Sequence, residues 1–220
     1  MKFPAVLFDL DGTLLDTLAD IAGAANSTLE RCGFPTHSVD AYRYFIGDGV
    51  RVLFSRALPP ESQSPETIVR CADHFRDAYL EHWNVHTRPY PGIGDLLEEL
   101  ARRSVRIAVL SNKPHEATVR CVEAMLSDYR FEVVLGQRDE VPHKPDPTAA
   151  LEIASQMQLS PESFAFLGDT ATDMQTAVRS QMFPVGVAWG FRPREELTEY
   201  GAEVIIERPG ELLELLEGGC

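Results

Sequence analysis

The chain has 220 residues, 44% hydrophobic and 25% charged, which allows one large domain or an ordinary domain with a smaller insertion and argues against global disorder. Its 20 Lys and Arg stand against 34 Asp and Glu, a formal charge of -14, which excludes a broad electrostatic grip on nucleic acid or an anionic membrane surface. Any anionic ligand must be held locally, by a metal or by a few placed cations.

The first predicted element is a buried strand over Ala5–Leu10. From about Thr17 to His86 no strand pattern occurs; helical patterns run over Ile21–Arg31, Val50–Leu58 and Pro65–Trp83 instead. In the last of these, Ile68, Cys71, Ala72, Phe75 and Tyr79 form one apolar stripe, read as packing. The turn-rich segment Arg88-Pro89-Tyr90-Pro91-Gly92 leads back to alternating elements. Strands are predicted over Val105–Leu110, Phe131–Leu135, Phe164–Leu167, Pro184–Ala188 and Glu203–Ile206. Helices are predicted over Asp95–Arg103, Glu116–Met125, Thr148–Gln158, Asp173–Gln181 and Glu211–Glu217. Apolar strands alternating with such helices indicate βαβ units and a parallel sheet covered on both faces. The expectation is an α/β fold: a Rossmann-like parallel sheet core with helices on both faces, formed by residues 1–16 and 88–220, with an inserted α-helical cap domain over 17–87.

No apolar run approaches the roughly 18 residues of a spanning helix. The N-terminal apolar stretch runs straight into carboxylates, unlike a signal peptide. Cys32, Cys71, Cys121 and Cys220 are scattered, without a C-x-x-C pair, and read as free thiols in a cytoplasmic protein.

Carboxylates, hydroxyls and a lysine recur where predicted strands end. In Asp9-Leu10-Asp11-Gly12-Thr13, an extended backbone would turn Asp9 and Asp11 to one side, with Gly12 permitting a sharp turn and Thr13 offering a hydroxyl and an N–H. Two carboxylates so close repel unless a cation or a proton intervenes. The second strand leads into Ser111-Asn112-Lys113, which taken alone reads equally as a helix N-cap. Lys144-Pro145-Asp146-Pro147 places a Lys before a helix, either reaching towards a phosphate or lying on the surface. In Asp169-Thr170-Ala171-Thr172-Asp173, both acids can lean over one site, or Asp173 can serve as a plain N-cap. Open α/β sheets bind ligands along this rim, and hard oxygens from Asp9, Asp11 and Asp169 suit Mg²⁺ with a phosphate as further ligand. Trp189 and Phe191, near the same edge, read as packing.

These motifs, FDLDGT, LSNK, KPDP and GDTATD, in this order from Asp9 to Asp173, resemble those of the haloacid dehalogenase superfamily. The helical insertion after the first motif is similar to that family's first-type cap. FIGDGVRVLFSRAL over Phe45–Leu58, the PYPG return and SNKP are most similar to its phosphoglycolate phosphatases. The resemblance implies a Mg²⁺-dependent phosphatase acting on a small phosphomonoester, with 2-phosphoglycolate the first choice. By the same resemblance Asp9 is the nucleophile, and Asp11 protonates the leaving alcohol and later activates water. Thr13, Ser111, Asn112 and Lys144 bind the phosphoryl group. The metal is held by the Asp9 side chain, the Asp11 carbonyl and Asp169, with Gly12 and Asp173 supporting. The cap loop Gly47-Asp48-Gly49, flanked by Arg43 and Arg51, would close on the other end of the substrate, about hinges near Asp16–Thr17 and Thr87–Arg88; both arginines read equally as solvated surface residues. A phosphosugar mutase of the same family and a non-enzymatic phospho-accepting receiver are the alternatives. The expected partner is a small phosphorylated metabolite, not nucleic acid or membrane, and the expected assembly a monomer or homodimer.

Overall fold

A computed structural model describes residues 2–217; Cys220, read above as a free thiol, lies outside the described residues. The chain divides into two compact units, one formed by residues up to Leu15 and from Pro89 onward, the other by Asp16–Arg88.

The first unit is built on a six-stranded parallel sheet. Its strands are β1 (Ala5–Phe8), β4 (Arg106–Pro114), β5 (Val133–Gln137), β6 (Phe164–Gly168), β7 (Phe183–Val187) and β8 (Val204–Ile206), in the spatial order β5-β4-β1-β6-β7-β8. β1 and β6 have no exposed residue, as expected of central parallel strands covered on both faces. Because side chains alternate across a strand, Ala5 and Leu7 of β1 join Ala108, Leu110, Phe164 and Phe166 on one face. Ala149, Ala150, Ile153 and Ala154 of helix α6 (Thr148–Gln156) complete that core.

The other helices of this unit are α4 (Ile93–Arg102), α5 (His115–Met125), α7 (Ala171–Arg179), α8 (Arg194–Glu199) and α9 (Glu211–Glu217). Spacing explains α4 directly: Ile93, Leu96, Leu97 and Leu100 are buried along one stripe, while Asp95 and Glu98 fall outside it. Chain order works outward from β1 to β4 and β5, then crosses to β6 on the opposite side. The crevice beyond the C-terminal ends of β1 and β6 is therefore the topological switch point, where such sheets bind ligands.

The second unit is helical, with α1 (Leu18–Arg31), α2 (Val50–Ala57) and α3 (Pro65–His82), and 3₁₀ turns over Val39–Tyr44 and Pro60–Ser62. Cys71, Phe75 and Tyr79 of the predicted stripe are buried, and Ile68 and Ala72 half-buried. Buried Asp20 accepts hydrogen bonds from the Thr87 N–H and hydroxyl, each at 2.8 Å, and from the His86 N–H at 3.0 Å, fixing the return segment to α1. The two-residue strands β2 (Leu15–Asp16) and β3 (Arg88–Pro89) pair with each other where the chain changes units.

Two expectations need correction. β1 stops at Phe8 rather than Leu10, because at Leu10 the chain turns: its carbonyl accepts from Leu14 and Leu15 N–H, and Gly12 takes φ of 91°. β4 runs on to Pro114 through a register shift between Leu110 and Pro114, so Ser111 and Asn112 are strand residues and not the N-cap of α5. The short helix α8 and the pair β2–β3 carry too few periodic residues to be visible in sequence. No helix among the described residues is long and apolar enough to cross a membrane.

Candidate active site

Asp9 follows β1 and Asp169 follows β6. Asp9 N–H donates to the Leu167 carbonyl at 2.9 Å, continuing the pairing that sets Phe8 beside Leu167. Asp173 reaches the same place from the first turn of α7. The carboxylates of Asp9, Asp169 and Asp173 are all buried, with one ligand atom of each within 4.8 Å of the others.

Lys144 lies among them. Its ammonium donates to Asp9 Oδ1 at 2.7 Å, Asp173 Oδ1 at 2.6 Å and the Leu110 carbonyl at 3.0 Å. Its side chain is only 2% exposed, so the surface reading of this lysine fails. Asn112 secures the loop that carries it: its amide accepts from Lys144 N–H at 2.9 Å and donates to Lys144 carbonyl at 3.0 Å. Asn112, expected to face a phosphate, thus uses both ends of its amide to place the lysine.

Asp169 accepts from the Thr13 hydroxyl at 3.2 Å and the Phe191 N–H at 2.7 Å. Asp173 is the third residue of a capping box and not an N-cap: its Oδ2 accepts from the Thr170 N–H at 3.1 Å and hydroxyl at 2.6 Å. Ser111 is buried in β4, and its hydroxyl accepts from Lys113 N–H at 3.2 Å.

Glycines make the room for this cluster. A Cβ at Gly12 or Gly190 would run into Asp169, and one at Gly168 into Asp173. Of these only Gly12 stood out in sequence; Gly168 and Gly190 matter through close approach, which no spacing reports. The Trp189 indole N–H donates to Thr13 carbonyl at 3.0 Å, so a residue read as packing also ties down the Gly12-Thr13 turn.

Asp11 departs from expectation. An extended backbone was to turn it beside Asp9, but the strand has ended, and its carboxylate pairs with Lys113, with Nζ at 2.8 Å from Oδ1 and 3.1 Å from Oδ2. The carboxylates that gather are Asp9, Asp169 and Asp173; that of Asp11, near enough for its charge to raise the Asp9 pKa, is gripped by Lys113. Lys113 had been only the last letter of LSNK; a second buried lysine is the residue sequence reasoning missed.

Burial and like charge govern the electrostatics. Burial, opposed by Lys144 and reinforced by Asp173, pushes the Asp9 carboxyl from 3.8 up to about 7. Burial and the charges of Asp173 and Asp9 hold Asp169 well above the ordinary carboxylate range. Burial disfavours the Lys144 ammonium, yet the carboxylates of Asp173 and Asp9 outweigh it and raise its pKa above the usual lysine value. Three carboxylates against one ammonium leave two negative charges uncompensated when all are ionised. An all-oxygen donor set with that surplus fits a hard divalent cation such as Mg²⁺.

The cap residues singled out in sequence lie in the second unit. Gly47 and Gly49 take positive φ, and Asp48 pairs with Arg56 at 2.5 Å. Arg43 pairs with Asp40 at 3.0 Å, and Arg51 is exposed on α2. A shallow hollow of about 520 Å³ beside α5 and β5, lined by Val119, Val122, Tyr129 and Phe131 among others, includes none of the acid cluster.

The profile of the haloacid dehalogenase-like hydrolases matches residues 6–187. The chain is 32% identical over 213 residues to a phosphoglycolate phosphatase of Aquifex aeolicus, covering 96% of each chain. It is 30% identical over 218 residues to an N-acetylmuramic acid 6-phosphate phosphatase of Pseudomonas aeruginosa, covering 99% of this chain and 96% of that one. A crystal structure from Lactobacillus delbrueckii subsp. bulgaricus superimposes with a TM-score of 0.91 at 32% identity, over 98% of this chain and 99% of that one. A haloacid dehalogenase-like family hydrolase from Streptococcus pneumoniae gives a TM-score of 0.88 at 26% identity, over 98% and 99%. With buried acids gathered at the switch point of a parallel sheet and a family profile spanning most of its length, this chain belongs to the haloacid dehalogenase-like hydrolases, as a phosphatase of that family.

Proposed function

We propose that this protein hydrolyses a small phosphomonoester, with 2-phosphoglycolate as first choice, through an aspartyl-phosphate formed on Asp9 in a Mg²⁺-dependent reaction. One observation carries the reading: three buried carboxylates surround a single lysine, with the nucleophile candidate among them. A surplus of negative charge is a poor place for a phosphate unless a cation joins it.

Asp9, Asp169 and Asp173, with the Asp11 main-chain carbonyl, would hold that cation. When bound it offsets negative charge on the phosphoryl oxygens. Lys144 and the hydroxyls of Thr13 and Ser111 would hold those oxygens as charge develops, and Asn112 would act through Lys144. The Asp9 carboxylate then attacks phosphorus, the bond to the ester oxygen breaks, and that oxygen takes a proton from Asp11. In the second half Asp11 accepts a proton from water as the water oxygen attacks phosphorus. The bond to Asp9 breaks, and orthophosphate and the free carboxylate result.

The relatives named phosphoglycolate phosphatase, several near 30% identity over most of the chain, support 2-phosphoglycolate. The Pseudomonas aeruginosa relative favours a second reading, a phosphorylated amino sugar of the N-acetylmuramate type. Scattered cysteines and the acidic charge support a cytoplasmic enzyme, monomeric or dimeric, that works on a free metabolite. The test is phosphate release from 2-phosphoglycolate, N-acetylmuramic acid 6-phosphate, hexose phosphates, nucleotides and pyrophosphate, with Mg²⁺ or EDTA. The highest kcat/KM should fall on 2-phosphoglycolate and vanish with EDTA. Isomerisation without phosphate release would mean a mutase, and a long-lived phospho-protein without turnover would mean a receiver.

A further inference from the structure

We propose that Lys113 is a positioning residue for Asp11: its ammonium grips both carboxylate oxygens and sets the direction in which Asp11 meets the leaving alcohol. The inference rests on the reading of Asp11 as proton carrier given above.

Lysine side chains ordinarily run out to water. Here the Lys113 side chain is 5% exposed and that of its partner Asp11 11%, with contacts of 2.8 and 3.1 Å to the two oxygens. Withdrawing such a pair from water costs roughly what its attraction returns, so stability alone explains it poorly.

The two partners differ in how firmly they are held. Lys113 sits in β4 beyond the register shift, and its main chain is restrained on both sides. Its N–H donates to the Ser111 hydroxyl at 3.2 Å, and its carbonyl accepts from the Thr118 hydroxyl at 3.1 Å. β5 approaches so closely behind it that a Cβ at Gly136 would stand 2.6 Å from the Lys113 carbonyl oxygen. Asp11, by contrast, lies on the turn after β1, beside Gly12 at φ of 91°, where the backbone pairs in an isolated bridge to Leu15 and not in a strand of the sheet. A carboxylate on such a turn has several rotamers, and the fixed lysine selects one. With a proton on one oxygen, the other still accepts from the ammonium, and the O–H faces away from Lys113. Loss of that orientation is the kind of small misplacement that lowers a rate by about 100-fold.

The test uses the full chain with Mg²⁺ and measures kcat/KM for 2-phosphoglycolate and for p-nitrophenyl phosphate, in wild type, Lys113→Met, Lys113→Arg, Asp11→Asn and the double variant Asp11→Asn/Lys113→Met. This quantity covers events only up to cleavage of the ester, and p-nitrophenolate departs without needing a proton. Lys113→Met should lose about 10- to 100-fold on the alkyl ester, at least tenfold more than it loses on the aryl ester. Lys113→Arg should recover most of the loss. On the Asp11→Asn background the Met substitution should change kcat/KM by less than about twofold, since the two groups act as one unit. Equal losses on both esters, or losses that multiply with Asp11→Asn, overturn the assignment. Should Lys113→Met fail to fold, Lys113→Gln carries the same outcomes. A wild type that releases phosphate from neither ester refutes the phosphatase reading itself, a result distinct from the other two.

Discussion

A carboxylate that is fully buried beside two others is a weak acid, and this is the chemical peculiarity of Asp9. Burial, with Asp173 and Asp11 nearby, holds its pKa at about 7 despite Lys144, whereas attack on phosphorus requires the anion. Asp9→Asn preserves shape and removes the proposed nucleophile. It should lower phosphate release by at least about 1,000-fold under saturating Mg²⁺, and turnover at the wild-type rate would refute the assignment. The same crowding makes certain hydrogens as important as oxygens. A methyl at Gly190 would run into the Asp169 side chain. Gly190→Ala should therefore weaken Mg²⁺ binding, followed as metal-dependent thermal shift, by about tenfold or more through displacement of Asp169. Undiminished affinity would show that the Trp189-Gly190-Phe191 segment yields freely.

The elements aim these side chains. Helix α7 begins with a capping box in which Thr170 and Asp173 satisfy each other's backbone groups, so one acid serves both the helix start and the lysine. Thr170→Ala should cost about 1 kcal/mol. For a chain of this length that is a fall of roughly 2–4 °C in Tm, and calorimetry checks it. It should also raise the Mg²⁺ concentration for half-maximal activity, because Asp173 loses the hydroxyl bond at 2.6 Å. A drop in Tm without any change in Mg²⁺ dependence would separate the two duties. Strand β4 shows how an element can outrun its pattern. VRIAVL reads as a complete buried strand, yet the chain stays extended through Ser111-Asn112-Lys113 to Pro114, because β5 pairs again at Gln137 and Gly136 lets it come close. Polar residues in that extension are buried like the apolar ones before them. Sequence periodicity marks where apolar residues end, not where pairing does.

Over the whole molecule, charge and fold are coupled through the buried cluster. Asp9 has a folded-state pKa of about 7 against an ordinary 3.8, so the metal-free protein gains stability from the protonated carboxyl at low pH and loses it as pH rises through 7. Asp169 is shifted in the same direction. Melting in EDTA should accordingly show Tm falling between about pH 4 and pH 7, with Mg²⁺ raising Tm more at pH 8 than at pH 5. A Tm increase on Mg²⁺ addition that does not grow with pH would contradict the coupling. Much of this molecule could be read from its residues. The alternation of apolar runs and amphipathic stretches prescribed a parallel α/β sheet and a helical insertion, because burial on both faces leaves a compositional mark. The motif letters identified Asp9, Thr13, Lys144, Asp169 and Asp173 as chemically interesting, because short polar clusters after apolar runs are local features. Only the tertiary structure settled which of them meet. It paired Asp11 with Lys113, engaged Asn112 with the Lys144 backbone, and set Gly168 and Gly190 against the acids. Such contacts join positions separated by up to 176 residues, as between Thr13 and Trp189, and depend on where each strand stops and how closely two backbones approach. Local spacing carries no record of either distance, since both arise only when remote segments pack.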